Sequence, residues 1–292
     1  MKGSGFDARV AAALAVTVVF WASAFAGIRA GLEAYGPGQV ALFRFLVASV
    51  ALAGFAAVVR MRMPEGRDLP AVLLAGFLAF TFYHAALNYG EVTVSAGAAS
   101  VLINTVPIFT ALLAVNFLGE RLRPVGWVGM GVSFAGAALI SLGEGEGLRL
   151  DSRALPIVLA AVSSSIYFVF QKPYLSRYGA LAFTTYAVWA GSLLALPFLP
   201  GLVSQVPSAP LGTTLAMVYL GVFPTAIAYV TYAYAFSRMA ASRAVSFLYL
   251  IPVLAYLIAW LWLGEVPTLL SVVGSVVTLV GVVIVNARGR RR

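Results

Sequence analysis

LINTVPIFTALLAVNFLGE, residues 102–120, is written again 145 residues later as FLYLIPVLAYLIAWLWLGE, residues 247–265. Six of the nineteen positions are identical in register: Pro107/Pro252, Leu112/Leu257, Ala114/Ala259, Leu118/Leu263, Gly119/Gly264 and Glu120/Glu265. Each copy is an apolar run with a proline inside it and Gly-Glu at its end. A helix needs about 20 apolar residues to cross a bilayer, and each copy has that length. Around them the chain divides into ten such runs, at roughly 9–30, 37–59, 69–90, 94–118, 123–142, 154–174, 180–200, 211–236, 240–263 and 267–287.

The composition requires lipid as the main solvent. Of 292 residues, 62% are hydrophobic and only 10% charged, with a mean hydropathy of +0.97. A soluble domain carries about 25% charged residues. The runs are continuous, whereas an outer-membrane barrel would show alternating segments of about 10 residues. There is no cysteine, which excludes disulfides, thiolate nucleophiles and thiolate metal sites together. The one histidine, His84, cannot build a metal cluster alone, so neither metal nor cofactor is expected. No glycine-rich phosphate loop ending in Lys-Ser/Thr appears, so no ATP site is expected. The first run, with Lys2, Arg9 and Ala24-Phe25-Ala26, has the parts of a signal peptide. Nine runs follow it and it has an internal counterpart, so it reads as a retained helix.

Positive charge sets topology. With the N-terminus inside, the inside segments carry 15 Lys and Arg residues and the outside segments 3, with Arg44 within a span. Both termini are therefore expected in the cytoplasm. The net charge of +9 serves topology, and the RGRRR tail reads as a stop beside anionic lipid, not as a nucleic-acid site. Five spans separate the two copies of the opening stretch. Five is odd, so the copies run in opposite directions. The expected fold is all-α and integral to the membrane, with ten helices in two inverted five-helix repeats. The repeats are expected at 1–146 and 147–292, forming one transport domain, with the seam in the loop 143–152. His84/Tyr229, Tyr89/Tyr234 and Ala99/Ala244 share the same offset. Inverted repeats around a membrane-plane pseudo-two-fold are the architecture of many secondary transporters.

The set of ten helices in two inverted halves, Trp21 with a cation eight residues on, Phe43-Arg44-Phe45 in helix 2 and Pro…Leu-Gly-Glu closing helices 4 and 9 resembles the drug/metabolite transporter superfamily, EamA type. The resemblance covers nearly the whole chain. Within that family the chain looks most like bacterial exporters of aromatic amino acids. The resemblance implies a multi-pass plasma-membrane permease of bacteria, functional as a monomer, whose partners are a small-molecule substrate and the lipid bilayer.

Polar groups inside a bilayer are costly and tend to mark a pathway. The expected cavity residues are Trp21, Arg44, Tyr83, His84, Asn88, Ser100, Asn104, Tyr167, Trp189, Tyr229, Tyr232, Ser246 and Tyr249. His84 and Asn88 share one face of helix 3. Asn104 and Tyr249 each stand one turn before a proline. Pro107 and Pro252 are read as mid-helix hinges that free backbone carbonyls beside a wet cavity. Gly119-Glu120 and Gly264-Glu265 are read as structural caps, each carboxylate facing the helix that follows at Pro124 or Pro267. Glycine-rich helices 5 and 10 are expected outside the cavity, which helices 1, 3, 4, 6, 8 and 9 should line. No Asp or Glu is expected in the interior of a span, which disfavours a carrier of lipophilic cations. A ring-walled cavity with scattered amides and hydroxyls suits a zwitterionic aromatic solute. An intramembrane enzyme would need a nucleophile and base at depth. Ser163, Ser164 and Ser165 have no such partners in sequence, so no enzyme is expected. The reading is an inner-membrane exporter of aromatic or hydrophobic amino acids working by alternating access. A nucleoside, sugar conjugate or drug remains the alternative cargo.

Overall fold

The computed structural model describes residues 7–59, 61, 63–92, 99, 102–143, 155–263 and 268–287. Among these every regular element is helical, because in hydrocarbon a helix satisfies its own backbone donors and acceptors. Ten segments follow one another. They are α1 (Ala8–Leu32), α2 (Pro37–Val59), α3 (Gly66–Glu91), α4 (Val106–Phe117) and α5 (Pro124–Gly143). Then come α6 (Leu155–Tyr178), α7 (Ala180–Leu194, continuing after a 47° bend as Leu196–Ser208) and α8 (Leu211–Ser237). Last are α9 (Ala241–Ser246, a 3-10 turn Phe247–Tyr249, then Leu250–Leu263) and α10 (Leu269–Ala287). Six of these are long and apolar enough to cross a membrane, the bent α7 makes a seventh, and α4, α5 and α9 are shorter apolar helices. The bend in α7 falls just before Pro197, which has no N–H to continue the ladder. The chain is an all-α integral membrane protein. The expected seam loop and the repeat boundary within it fall outside the described residues, except for Gly143.

The inversion is visible where α5 meets α10. A Cβ on Gly136 would come 2.7 Å from the Gly274 carbonyl oxygen, and one on Gly129 would come 3.0 Å from that of Gly281. The 145-residue offset makes Gly129 equivalent to Gly274 and Gly136 equivalent to Gly281. Exchanging the halves therefore turns the first contact into the second, the reciprocal pattern of a two-fold. The contacts run antiparallel, so the equivalent helices point in opposite directions. Ser133 lies between the two contacts and donates its Oγ to the carbonyl of Thr278, its own equivalent, at 3.4 Å.

The second mark of the repeat is irregular backbone. α3 opens into a π-turn at Phe77–Phe82 and α8 into another at Gly221–Ile227. These fall at matching positions of the two halves and precede His84 and Tyr229. A π-turn breaks the regular ladder and often sits at a functional site.

The prolines differ from the sequence reading. Residues 104 and 105 already form a turn, and Pro107 is the second residue of α4. Pro252 is the third residue of Leu250–Leu263, directly after the 3-10 turn. Each proline stands in the first turn of a segment that starts anew, where a missing N–H leaves no bond unmade. They mark breaks in α4 and α9 and do not kink continuous helices.

Candidate functional site

Both π-turns face the middle of the molecule, and each is satisfied by the first helix of the other half. The Leu78 carbonyl of α3 accepts the Ser163 hydroxyl of α6 at 2.8 Å. The Pro224 carbonyl of α8 accepts the Trp21 indole N–H of α1 at 3.0 Å, which orients that ring. One residue on, the Thr225 hydroxyl donates to the Leu220 carbonyl at 2.8 Å and accepts Arg44 Nε at 2.9 Å. Arg44 is only 2% exposed, so its charge lies in the core. Its Nη1 is 3.4 Å from His84 Nδ1. A guanidinium only donates, so Nδ1 accepts and the imidazole proton is on Nε2. That nitrogen is 3.3 Å from the Tyr229 hydroxyl and donates to it. The result is a chain Thr225–Arg44–His84–Tyr229 across α8, α2 and α3. His84 and Tyr229, equivalent in the two halves, meet at its end.

This chain edges a cavity of about 90 Å³. α1 contributes Trp21, Phe25 and Ile28, α2 contributes Arg44, and α3 contributes Tyr83, His84 and Leu87. α4 and the turn before it contribute Ile103, Asn104, Val106 and Pro107. The second half adds Ser164 and Phe168 from α6, Tyr229 from α8, and Leu248 and Ile251 from α9. Among the described residues α5, α7 and α10 contribute nothing. Trp21 meets Tyr229 edge-on with ring centroids 5.1 Å apart. A water takes about 30 Å³ and a ligand pocket usually exceeds about 300 Å³, so the cavity in this conformation is contracted.

At one end of the bundle Glu120 ties the two halves together. Its carboxylate accepts the backbone N–H groups of Ala241 at 2.5 Å and Ser242 at 3.0 Å, and the Ser242 hydroxyl at 2.8 Å. Lys172 reaches Glu120 Oε1 at 3.2 Å and the Met239 carbonyl at 2.7 Å. Glu120 thus bonds the first turn of α9 in the opposite half, whereas the sequence reading placed it on the adjacent α5. Chain proximity suggests Pro124, whereas the tertiary fold brings the N-terminus of α9 closer. Burial pushes the Glu120 carboxyl up, but the Ser242 and Ala241 N–H groups, the Ser242 hydroxyl and Lys172 outweigh it and hold it below the usual carboxylate range. A depressed carboxylate contributes stability above its unfolded pKa and loses it as pH falls through the folded value. The cap should therefore be intact at neutral pH. Thermal stability should lose Glu120's share only below the ordinary carboxylate range, and Glu120→Gln should flatten that acid limb.

Of the expected cavity residues, Trp21, Arg44, Tyr83, His84, Asn104 and Tyr229 converge on one space. Tyr167 and Tyr232 are buried behind it: Tyr232 packs on Trp21 at 5.0 Å and Tyr167 on Phe168 at 5.6 Å. Asn88 is buried and donates to the Pro37 carbonyl at 2.9 Å. Three residues lie elsewhere. Trp189 donates to the Ser49 carbonyl at 3.2 Å, tying α7 to α2. Ser246 bonds Arg243 and Asn286. Tyr249 packs against Ala137 of α5 and Val282 of α10. The 3-10 turn rotates α9 so that Leu248 and Ile251, not Tyr249, face the cavity. Ser100, Gly264 and Glu265 lie outside the described residues. Ser163 and Ser165 donate to backbone carbonyls.

Sequence reasoning missed Thr225 and Glu91. Thr225 is one of many membrane threonines until the π-turn aims it at Arg44. Glu91 ends α3, and its Oε1 is buried without a hydrogen-bond partner among the described residues. A carboxylate therefore does reach the buried interior. Thr225→Val keeps the shape but leaves Arg44 Nε without its acceptor. The expected loss is about 1–3 kcal/mol, read as lowered thermal stability in detergent; an unchanged melting temperature would show that Arg44 does not depend on this bond.

The EamA-like transporter family matches the chain twice, over residues 9–142 and 153–287. The uncharacterized transporter YdfC of Bacillus subtilis is 50% identical over 262 residues, covering 90% of this chain and 86% of that protein. A probable terminal-alkyne amino-acid exporter of Streptantibioticus cattleyicolor is 44% identical, covering 96% of this chain and 95% of that protein. The uncharacterized inner membrane transporter YedA of Escherichia coli K12 is 28% identical, covering 84% of this chain and 80% of that protein. A solved crystal structure shares the fold with a TM-score of 0.78 at 19% identity, covering 97% of this chain and 98% of that one.

Proposed function

The chain belongs to the EamA-like transporter family, and from that premise we propose that it exports aromatic or other hydrophobic amino acids, and similar small metabolites, by alternating access. It is a multi-pass membrane transporter and not an enzyme. The observation that carries the substrate reading is the central cavity. Both halves build it, rings wall it, and Arg44 is buried at its edge. Rings accept an apolar side chain, and a buried guanidinium suits a carboxylate. The amino-acid exporter at 44% identity supports this cargo class.

The membrane is the bacterial inner membrane, and both termini face the cytoplasm, as the charge asymmetry of 15 to 3 supports. The Glu120 end is then cytoplasmic, and its cap closes the inward path. Residues 1–146 and 147–292 rock against each other about the cavity, and a monomer suffices.

The test is flux of labelled amino acids from purified protein in liposomes, with and without a pH gradient. Saturable flux of phenylalanine or smaller apolar amino acids supports the reading. Flux of nucleosides or lipophilic cations with none of amino acids would replace it. Cysteine labelling at positions 143–152 from the cytoplasmic side only would overturn the orientation.

A further inference from the structure

Arg44 and the outer end of α3 both hold unmet polar capacity of opposite kinds. The hydrogen bonds of Arg44 go to Thr225 and His84, both uncharged, and among the described residues no carboxylate forms an ion pair with it. A guanidinium has five N–H donors, and this one lines the cavity. On α3 the reverse holds. Asn88 donates its Nδ2 to the Pro37 carbonyl, which fixes the amide's orientation, and its Oδ1 is buried with no donor. Glu91 Oε1, three residues on, is likewise buried with no donor. Residues three apart are neighbours on a helix surface. Two adjacent orphan acceptors, one of them acidic, are unusual in a native interior. They describe a place for a cation with several N–H donors.

The two poles belong to one path. His84 and Leu87 line the cavity, and Glu91 follows Leu87 by four residues on the same face. Glu91 is about 10 Å along the axis from His84 at 1.5 Å per residue. Helical side chains lean back toward the N-terminus, which narrows that gap; the charge of Glu91 is felt first by Arg29 of α1 and then by Arg44, so an incoming ammonium shares Glu91 with Arg29.

We propose that the carrier site is bipolar: Arg44 takes the α-carboxylate of a zwitterionic amino acid, and Glu91 with Asn88 takes its α-ammonium. The side chain lies among Trp21, Phe25 and Phe168. This deepens the amino-acid reading above and rests on it. It assigns the specificity for a free α-amino acid to charges at both ends, with the rings sorting only the side chain. Bringing Glu91 and Asn88 to the cargo requires the contracted cavity to widen past Leu87.

Competition against labelled L-phenylalanine in liposomes tests it, with 3-phenylpropionate (no ammonium) and phenethylamine (no carboxylate) as probes. In the wild type both should compete at least tenfold more weakly than phenylalanine. Glu91→Gln should weaken phenylalanine tenfold or more while leaving 3-phenylpropionate unchanged. Arg44→Gln should weaken phenylalanine and leave phenethylamine unchanged. If Arg44→Gln does not fold, Arg44→Lys, which keeps the charge but loses the planar fork, replaces it and should weaken phenylalanine while leaving phenethylamine unchanged. Ligand-induced thermal stabilisation in detergent gives a second readout that does not need flux. Equal weakening of phenylalanine and 3-phenylpropionate in a folded Glu91→Gln protein would overturn the bipolar site while leaving amino-acid export standing. Absence of all amino-acid flux and binding in the wild type would overturn both.

Discussion

Glu120→Ala is expected to lower transport at least tenfold and to open the end of the bundle that Glu120 closes. The carboxylate binds two backbone N–H groups, one hydroxyl and one ammonium, all from the opposite half. Removing it leaves the first turn of α9 uncapped, at about 0.5–2 kcal/mol. It also leaves Lys172 without its carboxylate; the pair is partly buried, with side chains 24% and 13% exposed, and Lys172 keeps the Met239 carbonyl, so this adds about 1–2 kcal/mol, between an exposed and a fully buried pair. A combined shift of about 3 kcal/mol changes a two-state population roughly a hundredfold, at 1.4 kcal/mol per tenfold. All of it falls on the conformer in which the two halves meet at this end. A cysteine at position 242 should react faster in the Glu120→Ala background, and flux should fall because the closed state is rarely reached. Glu120→Gln, which keeps one acceptor oxygen, should lie between. Wild-type flux and unchanged labelling in Glu120→Ala would show that the cap is packing and not a gate.

The second large effect is expected at the crossing of α5 and α10. Gly136→Leu should prevent stable assembly of the two halves, whereas Gly131→Leu in the same helix should be silent. A Cβ on Gly136 meets backbone, 2.5 Å from Thr278 N and 2.7 Å from Gly274 O, so no side-chain rotamer relieves it. Nothing lies within 4 Å of a Cβ on Gly131. Overpacking in a tight interior costs about 1–3 kcal/mol when side chains can move, and here they cannot. Gly281→Leu, the equivalent site in the other half, should fail like Gly136→Leu. Monodispersity and thermal unfolding in detergent decide it. A Gly136→Leu protein as stable as Gly131→Leu would mean that α5 and α10 are free to separate, against the two-fold packing of these helices.

Hydropathy and charge suffice for the ten apolar runs and the membrane class, because desolvation of the backbone dictates helix wherever about 20 apolar residues run together. The duplication of Pro…Leu-Gly-Glu implies equivalent helices, and an odd number of spans between copies implies inversion. That logic is topological and needs no coordinates. It also reaches Arg44, His84 and Asn104, since polar side chains stand out against an apolar background. What it does not reach is rotation about a helix axis and the choice between hydrogen-bond ladders. Tyr249 and Asn104 share a register, yet the 3-10 turn at Phe247–Tyr249 sends Tyr249 toward α5 and α10 while Asn104 faces the cavity. The π-turns that aim Thr225 at Arg44 and expose Pro224 O to Trp21 have no local code, because their stability comes from donors on distant helices. Glu120 reads from sequence as a cap, but which helix it caps depends on what folds next to it. Sequence determined the apolar runs, which follow from solvent transfer, the pairing of halves, which follows from the duplication, and the polar groups that stand out in mid-span, though not Thr225 or Glu91. The tertiary structure alone decided which polar groups meet, because hydrogen bonds depend on direction and on distances of about 3 Å, which only the packed helices set.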